Sequence, residues 1–516
     1  MTKGVIAAGH PQTVRAAEEI LNSGGNAFDA VVAAHLMACV AEPVLSSPAG
    51  GGFLLAQTAE GRQQLYDFFV QTPRKRRKPD EVDFYPITAD FGETQQEFHI
   101  GLGACATPGT VKGLFAIHRD MCTMPMTQLA EPAVTLARQG VEMNPFQAYI
   151  LDVVGAVYRA SPEAREHYGR GGNSNDLVQE GDMLRLPGMA DFLETLAIEG
   201  EDFFYRGEIA TVAARMGREQ GGHVTLDDFH GYEVVRREPL RITYRNAGLA
   251  INPGPSSGGT LIAFALKLLE ETDPNQRPFG SAEHILAIAG AQQLTDAARL
   301  DYLLNHQMPA PGEQMLDPEY MAAFRQQMKT RTRFSRGTTH ISVMDRAGNT
   351  ASLTTSNGEG CGRIIPGTDI MLNNMLGEED LHPAGFGNWP ENQRITSMMA
   401  PAILNRADGT VIALGSGGSN RLRTAILQVI LNVTDHQMSL EEAVHSPRIH
   451  CEKDFLSVEH GFDSGMLEKA LAAYPAHKIW SESNLFFGGT HSVASGRDGF
   501  EGAGDPRRGG ASTVVM

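Results

Sequence analysis

The order of apolar and polar residues predicts two helices near the start of the chain. Pro11 stands at a first-turn position ahead of the helical pattern TVRAAEEIL, and the glycines of NSGG end that helix. Asn26 is placed to cap a second helix, over residues 27–39, which is apolar nearly all round. A helix without a polar face is expected to be buried. Asp29 within this helix and Glu42 just beyond it argue against a membrane span.

Beyond residue 336 the period of the pattern changes from helical to alternating. Residues 338–345 alternate polar and apolar side chains, as a half-buried strand does, and residues 350–356 alternate again. The intervening DRAGN is a turn signal in which Gly348 suits a positive φ. Together these segments predict a β-hairpin.

The remaining elements follow from similar patterns. Residues 121–271 are mostly helical apart from the strand-rich PLRITYRNAGLAIN, and GPSSGGT opens a helix ahead of a long one over residues 282–304. Short strands at DIMLNN, SMMAPAILN and TVIALGS precede the helix RLRTAILQVILNV. Ser439 and Glu442 have the spacing of a capping box.

Composition narrows the class of protein. The 516 residues are 42% hydrophobic and 20% charged, which excludes a disordered chain or a coiled coil. The net charge of −18 disfavours nucleic acid as a partner. The five cysteines are scattered without a CxxC pair, and no metal spacing occurs among the histidines, so neither metal nor cofactor is expected. The start lacks a signal-peptide core, so we expect a cytoplasmic protein without membrane attachment.

Two segments stand out as candidate chemistry, whereas HExxH, Walker and GxGxxG motifs do not occur. Gly337, Thr338, Thr339 and His340 lie at the head of the predicted hairpin. The loop GSGGSNR at 415–421 joins an apolar strand to a helix that Asn420 can cap. Backbone N–H groups in such a loop can hold a phosphate or a developing oxyanion.

The chain resembles the γ-glutamyltranspeptidase family of N-terminal-nucleophile hydrolases. The motifs AAEEILNSGGNAFDAVVA, SPAGGGF, GPSSGGT, GTTHISVMDRAGN, MLNNM, MMAP and GSGGSNR occur in the family's order over nearly the whole chain. The resemblance implies an α/β fold, a four-layer αββα sandwich of two stacked antiparallel sheets between helical layers. It also implies self-cleavage between Gly337 and Thr338. The products would be a large subunit, residues 1–337, and a small catalytic subunit, residues 338–516.

The chemistry of this cleavage explains the residue types. The Thr338 hydroxyl attacks the preceding carbonyl, and an N→O acyl shift gives an ester that water hydrolyses. The freed α-amine titrates at about 7.7–8.0, so it can act as the base for the hydroxyl of its own residue.

The resemblance also implies helper residues. Cross-strand pairing should set Ser356 beside Thr338, where its hydroxyl could orient the nucleophile, and Gly418 and Ser419 would form the oxyanion hole. Asn357 matches a substrate-binding asparagine if a small deletion is allowed. Glu378 replaces an aspartate that binds the substrate's α-amine; a solvated acidic loop is the alternative for it. Ser397 matches one of two binding serines, and the second is Met398 here.

One departure concerns the donor's α-carboxylate. The family's DFRE motif carries a clamping arginine, whereas this chain reads DFFV, with Phe69 in its place. Either another arginine substitutes, with Arg363 and the 74–77 cluster as candidates, or the preferred acyl group lacks that carboxylate. A solvated loop is the plainer interpretation of the basic cluster. The stretch 380–394 is short where many relatives carry a lid, which suggests a site open to water and hydrolysis favoured over transfer.

These observations predict a self-processing amidohydrolase of γ-glutamyl compounds such as glutathione. An acylase for glutaryl-like or other acyl amides is one alternative, and a processed but inactive scaffold is another. The expected partners are the small-molecule amide and the two subunits of one precursor, and a dimer of such heterodimers stays open.

Overall fold

The computed structural model describes residues 2–90, 95–172, 175–306, 312–325, 338–382, 385–418 and 420–516. Strands and helices are numbered below in chain order. The strands are β1 (Gly4–Ala8), β2 (Gly51–Gln57), β3 (Gln63–Phe68), β4 (Tyr85–Asp90), β5 (Gln95–Ile100), β6 (Val141–Glu142), β7 (Met183–Leu184), β8 (Val235–Arg237), β9 (Leu240–Tyr244), β10 (Ala247–Ile251), β11 (Thr339–Asp345), β12 (Thr350–Ser356), β13 (Ile364–Ile365), β14 (Ile370–Met371), β15 (Ala402–Arg406), β16 (Val411–Leu414), β17 (Ser416–Gly417), β18 (Ile449–Glu452), β19 (Phe455–Val458), β20 (Ala476–Ile479), β21 (Gly489–Thr490), β22 (Ser492–Gly496), β23 (Gly499–Ala503) and β24 (Ala511–Val515).

The helices are likewise given in chain order. They are α1 (Pro11–Asn22), α2 (Ala27–Ala41), α3 (Thr110–Met121), α4 (Met126–Gln139), α5 (Pro145–Val153), α6 (Gly155–Tyr158), α7 (Pro162–Tyr168), α8 (Pro187–Glu199), α9 (Glu201–Tyr205), α10 (Glu208–Gln220), α11 (Leu226–His230), α12 (Gly258–Leu269), α13 (Ala282–His306), α14 (Pro318–Arg325), α15 (Asn420–Thr434), α16 (Leu440–His445) and α17 (Ser464–Leu471).

Two antiparallel sheets form the centre of this mixed α/β fold. The first has the strand order β24-β1-β11-β12-β2-β3-β8, and the second has the order β23-β22-β16-β15-β10-β9. The predicted hairpin supplies β11 and β12 at the middle of the first sheet, where Thr339 pairs with Thr355 and Met344 with Thr350. The candidate nucleophile therefore lies at the end of a central strand.

The two faces of the first sheet pack against different partners. Along β1, Ile6 and Ala8 join a core cluster with α1, α2, α4 and α8. Val5 and Ala7 join the other large cluster, which contains the second sheet, α12, α13 and α15. β1 and β11 also contact β22 directly. The first sheet is thus covered on both faces.

This double covering corrects one expectation. The alternating pattern of residues 338–345 predicted a half-buried strand, yet every residue of β11 and β12 is buried. The polar positions face the second sheet instead of solvent: Ser342 Oγ donates to His491 O (3.1 Å) and Ser352 Oγ to Leu414 O (3.1 Å). Hydrogen bonds between the two sheets therefore satisfy polar side chains that the alternating pattern predicted to be exposed to solvent.

The helix starts predicted at Asn26 and Ser439 are confirmed, whereas the Asn420 side chain lies outside the described residues. Asn26 caps α2 in a capping box with Asp29, and all residues of α2 are buried, as its apolar composition predicts. Ser439 and Glu442 form the second capping box, at α16. In the described part of the chain, none of the helices has the length and apolar character needed to cross a bilayer.

Candidate active site

Thr338 lies at the head of β11 and is 5% exposed. The pairing of Thr339 with Thr355, extended by one residue, sets Ser356 opposite Thr338. Side chains of directly paired residues point to the same face, so both hydroxyls face the second sheet. The predicted neighbourhood of Thr338 and Ser356 is thus consistent with the register. Gly337 lies outside the described residues.

The glycine-rich loop packs directly on this strand head. A Cβ added to Gly417 would lie 2.0 Å from the Thr338 carbonyl oxygen, and one added to Gly415 would lie 2.3 Å from Cε1 of His340. Gly418 has a φ of +121°, which an L side chain rarely adopts. Glycine is required here for close approach, and the loop brings its backbone against Thr338. Ser419, the second predicted oxyanion residue, lies outside the described residues.

His340 anchors the strand head through a buried polar network. Its Nδ1 hydrogen-bonds Thr354 Oγ1 (2.8 Å), and its Nε2 hydrogen-bonds Ser342 Oγ (2.9 Å). Burial, with a smaller effect of nearby His491, holds the pKa of His340 well below its ordinary value. The ring is therefore neutral and positions the strand.

Glu42 is a buried acid beside the site that sequence reasoning missed. Thr339 Oγ1 donates to its Oε2 (2.7 Å) and Thr13 Oγ1 to its Oε1 (2.8 Å). Burial raises the pKa of Glu42 to about 7, against the two hydrogen bonds, which favour the charged form. The only sequence signal was a glutamate directly after an apolar helix, which the apolar pattern treats as a helix end.

A second group of polar residues, Asn357 and Glu378, lies beside Ser356. Gly358 N donates to Ser356 Oγ (3.0 Å), and a Cβ at Gly358 would lie 2.6 Å from Glu378 Oε1. Asn357 is fully buried and its Nδ2 donates to Met371 O (3.2 Å). Glu378 is 5% exposed, so the alternative of a solvated loop is wrong for this residue. The structure therefore brings Asn357 and Glu378 to the Ser356 side of the site.

Ser397 contacts the residues just before α12, and it does not lie on the hairpin. Its carbonyl accepts from Ser257 N (2.8 Å) and Ser256 Oγ (2.8 Å), and its own Oγ accepts from Met399 N (3.1 Å). Met398 packs in a small apolar cluster with Leu261. These contacts describe a tight turn, and they do not by themselves link Ser397 to Thr338.

The family model described as gamma-glutamyltranspeptidase matches residues 13–515. The chain belongs to this family. Its members are enzymes of the N-terminal-nucleophile hydrolase type, so the scaffold alternative loses its support, and the resemblance drawn from the motifs is confirmed.

Similar proteins carry two kinds of name. The chain is 30% identical to a glutathione hydrolase proenzyme of Escherichia coli (strain K12), over 98% of this chain and 90% of that protein. It is also 29% identical to an acylase ACY 1 proenzyme of Pseudomonas sp. (strain V22), over 96% and 91%. A cephalosporin acylase from Bacillus halodurans superposes with a TM-score of 0.85 over 100% of this chain and 96% of that chain, at 22% identity, which shows a shared fold. The substrate thus differs between similar family members.

Phe69 lies in the same row of the first sheet as Thr338 and Ser356, and its ring is in the core. Gly51 pairs with Ser356, and the β2–β3 register continued by one residue sets Phe69 beside Gly51. At about 4.8 Å per strand, Phe69 is roughly 14 Å from Thr338 along this row. Its ring is 1% exposed and stacks on Phe53 with centroids 5.5 Å apart.

The arginines considered as replacements already have partners. Arg363 pairs with Asp83 (3.0 Å). In the basic cluster, Arg76 pairs with Glu391 (3.7 Å) and Arg77 donates to Arg218 O (2.8 Å). The cluster forms a largely exposed loop, as the plainer interpretation predicted, and Arg76 and Arg77 connect it to neighbouring segments. Among the described residues, no group of three or more His, Cys, Asp and Glu is arranged to hold a metal ion.

Proposed function

We propose that this chain is a self-processing amidohydrolase of γ-glutamyl compounds, with Thr338 as the nucleophile. The observation that carries the proposal is the position of Thr338 at a buried strand head, opposite Ser356 and against the Gly417–Gly418 backbone. The two sheets and their helices would form the αββα sandwich that encloses it. Residues 1–337 and 338–516 would be the large and small subunits, as the proenzyme names of similar proteins suggest.

The reaction follows from the groups at the strand head. The neutral α-amine of Thr338 takes the proton of its own hydroxyl as Oγ attacks the amide carbonyl. The backbone N–H groups at Gly418 and Ser419 would stabilise the oxyanion. The carbon–nitrogen bond breaks, the leaving amine takes the proton, and an ester to Oγ remains. Water then attacks the ester and releases the acid. Ser356 would orient the nucleophile, while Asn357, Glu378 and Ser397 would bind the donor.

Self-cleavage is the first test. The mass of 55.8 kDa, shared in proportion to 337 and 179 residues, gives fragments of about 36 and 19 kDa. Intact mass spectrometry should find the smaller fragment beginning at Thr338, and Thr338→Ala should stay full-length and inactive. A single uncut chain that retains amidase activity would contradict the mechanism.

Adding glycylglycine should raise turnover only weakly if hydrolysis is favoured over transfer.

An acylase is the second candidate function, and Phe69 is the observation that favours it. A phenyl ring cannot make the charge-assisted pair that an arginine makes with an α-carboxylate, and Arg363 is already paired. We therefore propose that this branch lacks the carboxylate clamp. Comparing a chromogenic γ-glutamyl anilide with its glutaryl counterpart separates the two functions, because the acylase would favour the glutaryl compound.

A further inference from the structure

Arg508 places a buried guanidinium against the strand head. The residue is 3% exposed, and its Nη1 donates to the Thr338 carbonyl oxygen (3.3 Å). Nη1 and Nη2 each lie 3.2 Å from the Cβ position that Gly417 and Gly418, respectively, would have. The guanidinium therefore touches both the backbone of the nucleophile and the loop that faces it.

Two carboxylates near Arg508 are paired with other arginines. Asp505 pairs with Arg448 (2.7 Å) and with Arg507 (3.2 Å), and Glu459 pairs with Arg507 (2.6 Å). Arg448 and Arg507 thus occupy both carboxylates, and within the described ranges Arg508 has no ion pair within 4.0 Å. The positive charge of Arg508 therefore lies at Thr338 without a directly paired carboxylate in the described part of the chain.

Arg508 stays charged at neutral pH. Burial lowers its pKa to about 10, while the charges of Asp505 and Glu359 act in the opposite direction. An amine nitrogen lies about 3 Å from the carbonyl oxygen of its own residue, so the guanidinium is no more than about 7 Å from the α-amine that cleavage would free.

We propose that Arg508 is a positioning residue whose positive charge keeps the freed α-amine of Thr338 unprotonated, and so available as a base, near neutral pH. The inference rests on the proposed function, since it needs the cleaved chain. A nearby cation disfavours the protonated amine, and the same contact holds the Thr338 carbonyl in place.

Other charged or titratable groups face the strand head from each packed element. His340 and His491 have pKa values well below the ordinary one through burial, so both are neutral. Glu42 acts through Thr339. Asp505 and Glu359 are the carboxylates whose charges act on Arg508, and Glu378 lies further along the site, beside Gly358.

The test compares variants that separate charge from hydrogen bonding. Arg508→Gln keeps a donor for the Thr338 carbonyl but loses the charge, whereas Arg508→Lys keeps the charge. The readout is the acid limb of kcat/KM against pH for a γ-glutamyl anilide, which reports the base of the free enzyme. We expect Arg508→Gln to move this limb up by about one pH unit and Arg508→Lys to leave it near the wild-type position. Arg507→Lys is the matched control, a buried arginine paired away from Thr338, and should not move the limb.

A second variant works in the opposite direction. Glu359→Gln removes a carboxylate that offsets Arg508 and should move the limb to lower pH. If Arg508→Gln does not fold, the acid limbs of kcat/KM for Arg508→Lys and Glu359→Gln test the inference in its place. An acid limb of Glu359→Gln that stays at the wild-type pH or moves to higher pH overturns the inference.

The remaining outcomes separate this inference from the proposed function. A cleaved and active Arg508→Gln with an unchanged acid limb overturns the inference alone. So does a folded Arg508→Gln that stays uncut while Arg508→Lys cleaves, because the charge would then act on cleavage. A rise in KM confined to donors with an α-carboxylate would make Arg508 a substrate-binding residue instead. If the wild-type protein neither cleaves itself nor hydrolyses amides, the proposed function itself is contradicted.

Discussion

Replacing Glu42 with glutamine should make the stability of the fold less dependent on pH. The folded state raises the pKa of this fully buried carboxyl from 4.5 to about 7. The folded protein therefore keeps a proton that the unfolded chain has lost, and stability falls as pH rises from about 4.5 through 7. At about 1.4 kcal/mol per pH unit, the full effect is about 3 kcal/mol. Glutamine cannot ionise but can still bond Thr13 and Thr339, so Glu42→Gln should avoid this loss.

The expected size in a melting experiment follows from the length of the chain. Unfolding 516 residues at about 2.1 cal/mol/K each gives about 1.1 kcal/mol/K, so the Tm advantage of Glu42→Gln should grow by about 2–3 °C between pH 5 and pH 8. Both proteins are measured in a Thr338→Ala background, so that every sample is a single chain. Glu19→Gln is the control, because the Glu19 carboxyl is half exposed and forms a surface pair with Arg15. A Tm difference that stays constant with pH would refute the burial argument.

Three further outcomes test the proposed site. Ser356→Ala should lower kcat for a γ-glutamyl anilide by about tenfold, the value of one orienting hydrogen bond, and an unchanged kcat would remove that role. Glu378→Gln should raise KM by about 10–100-fold for donors with an α-amine, and an equal rise for donors without one would contradict amine binding. Phe69→Arg should lower Tm by several degrees without improving kcat/KM, because it places a charge where the ring stacks on Phe53, with Phe69→Leu as the milder control. Improved turnover at an unchanged Tm would instead show that position 69 can bind the donor.

The local elements of the fold were predictable because their signals are local. Asn26 and Ser439 are N-cap residues that mark helix starts, and the DRAGN turn joins two strands with alternating patterns. The sheet order was not predictable from such patterns. β1 lies between β11 and β24, partners more than 300 and more than 500 residues away along the chain. These pairings depend on burial on both faces, which periodicity in one segment cannot report.

The site shows the same limit. Ser356 was found because hairpin register follows from the length of the turn. Glu42 and Arg508 were missed because each approaches from a distant segment, at the end of α2 and near the end of the chain. Arg508 is also adjacent to Arg507, which forms ion pairs with Asp505 and Glu459. Two successive arginines look alike in sequence, and only the packing distinguishes the paired one from the one at Thr338.

The strand head is held at three successive residues by three different parts of the chain. The Thr338 carbonyl accepts from Arg508, the Thr339 hydroxyl donates to Glu42, and the His340 ring bonds Thr354. Side chains alternate along a strand, so Thr339 is fixed on the helical side while His340 is fixed on the side of the second sheet. A strand held from both faces cannot rotate about its axis. Attack by a hydroxyl needs near-attack geometry, and misplacement by about 1 Å costs about a hundredfold in rate. The buried polar side chains around Thr338 therefore contribute rigidity at the point where the proposed reaction requires it.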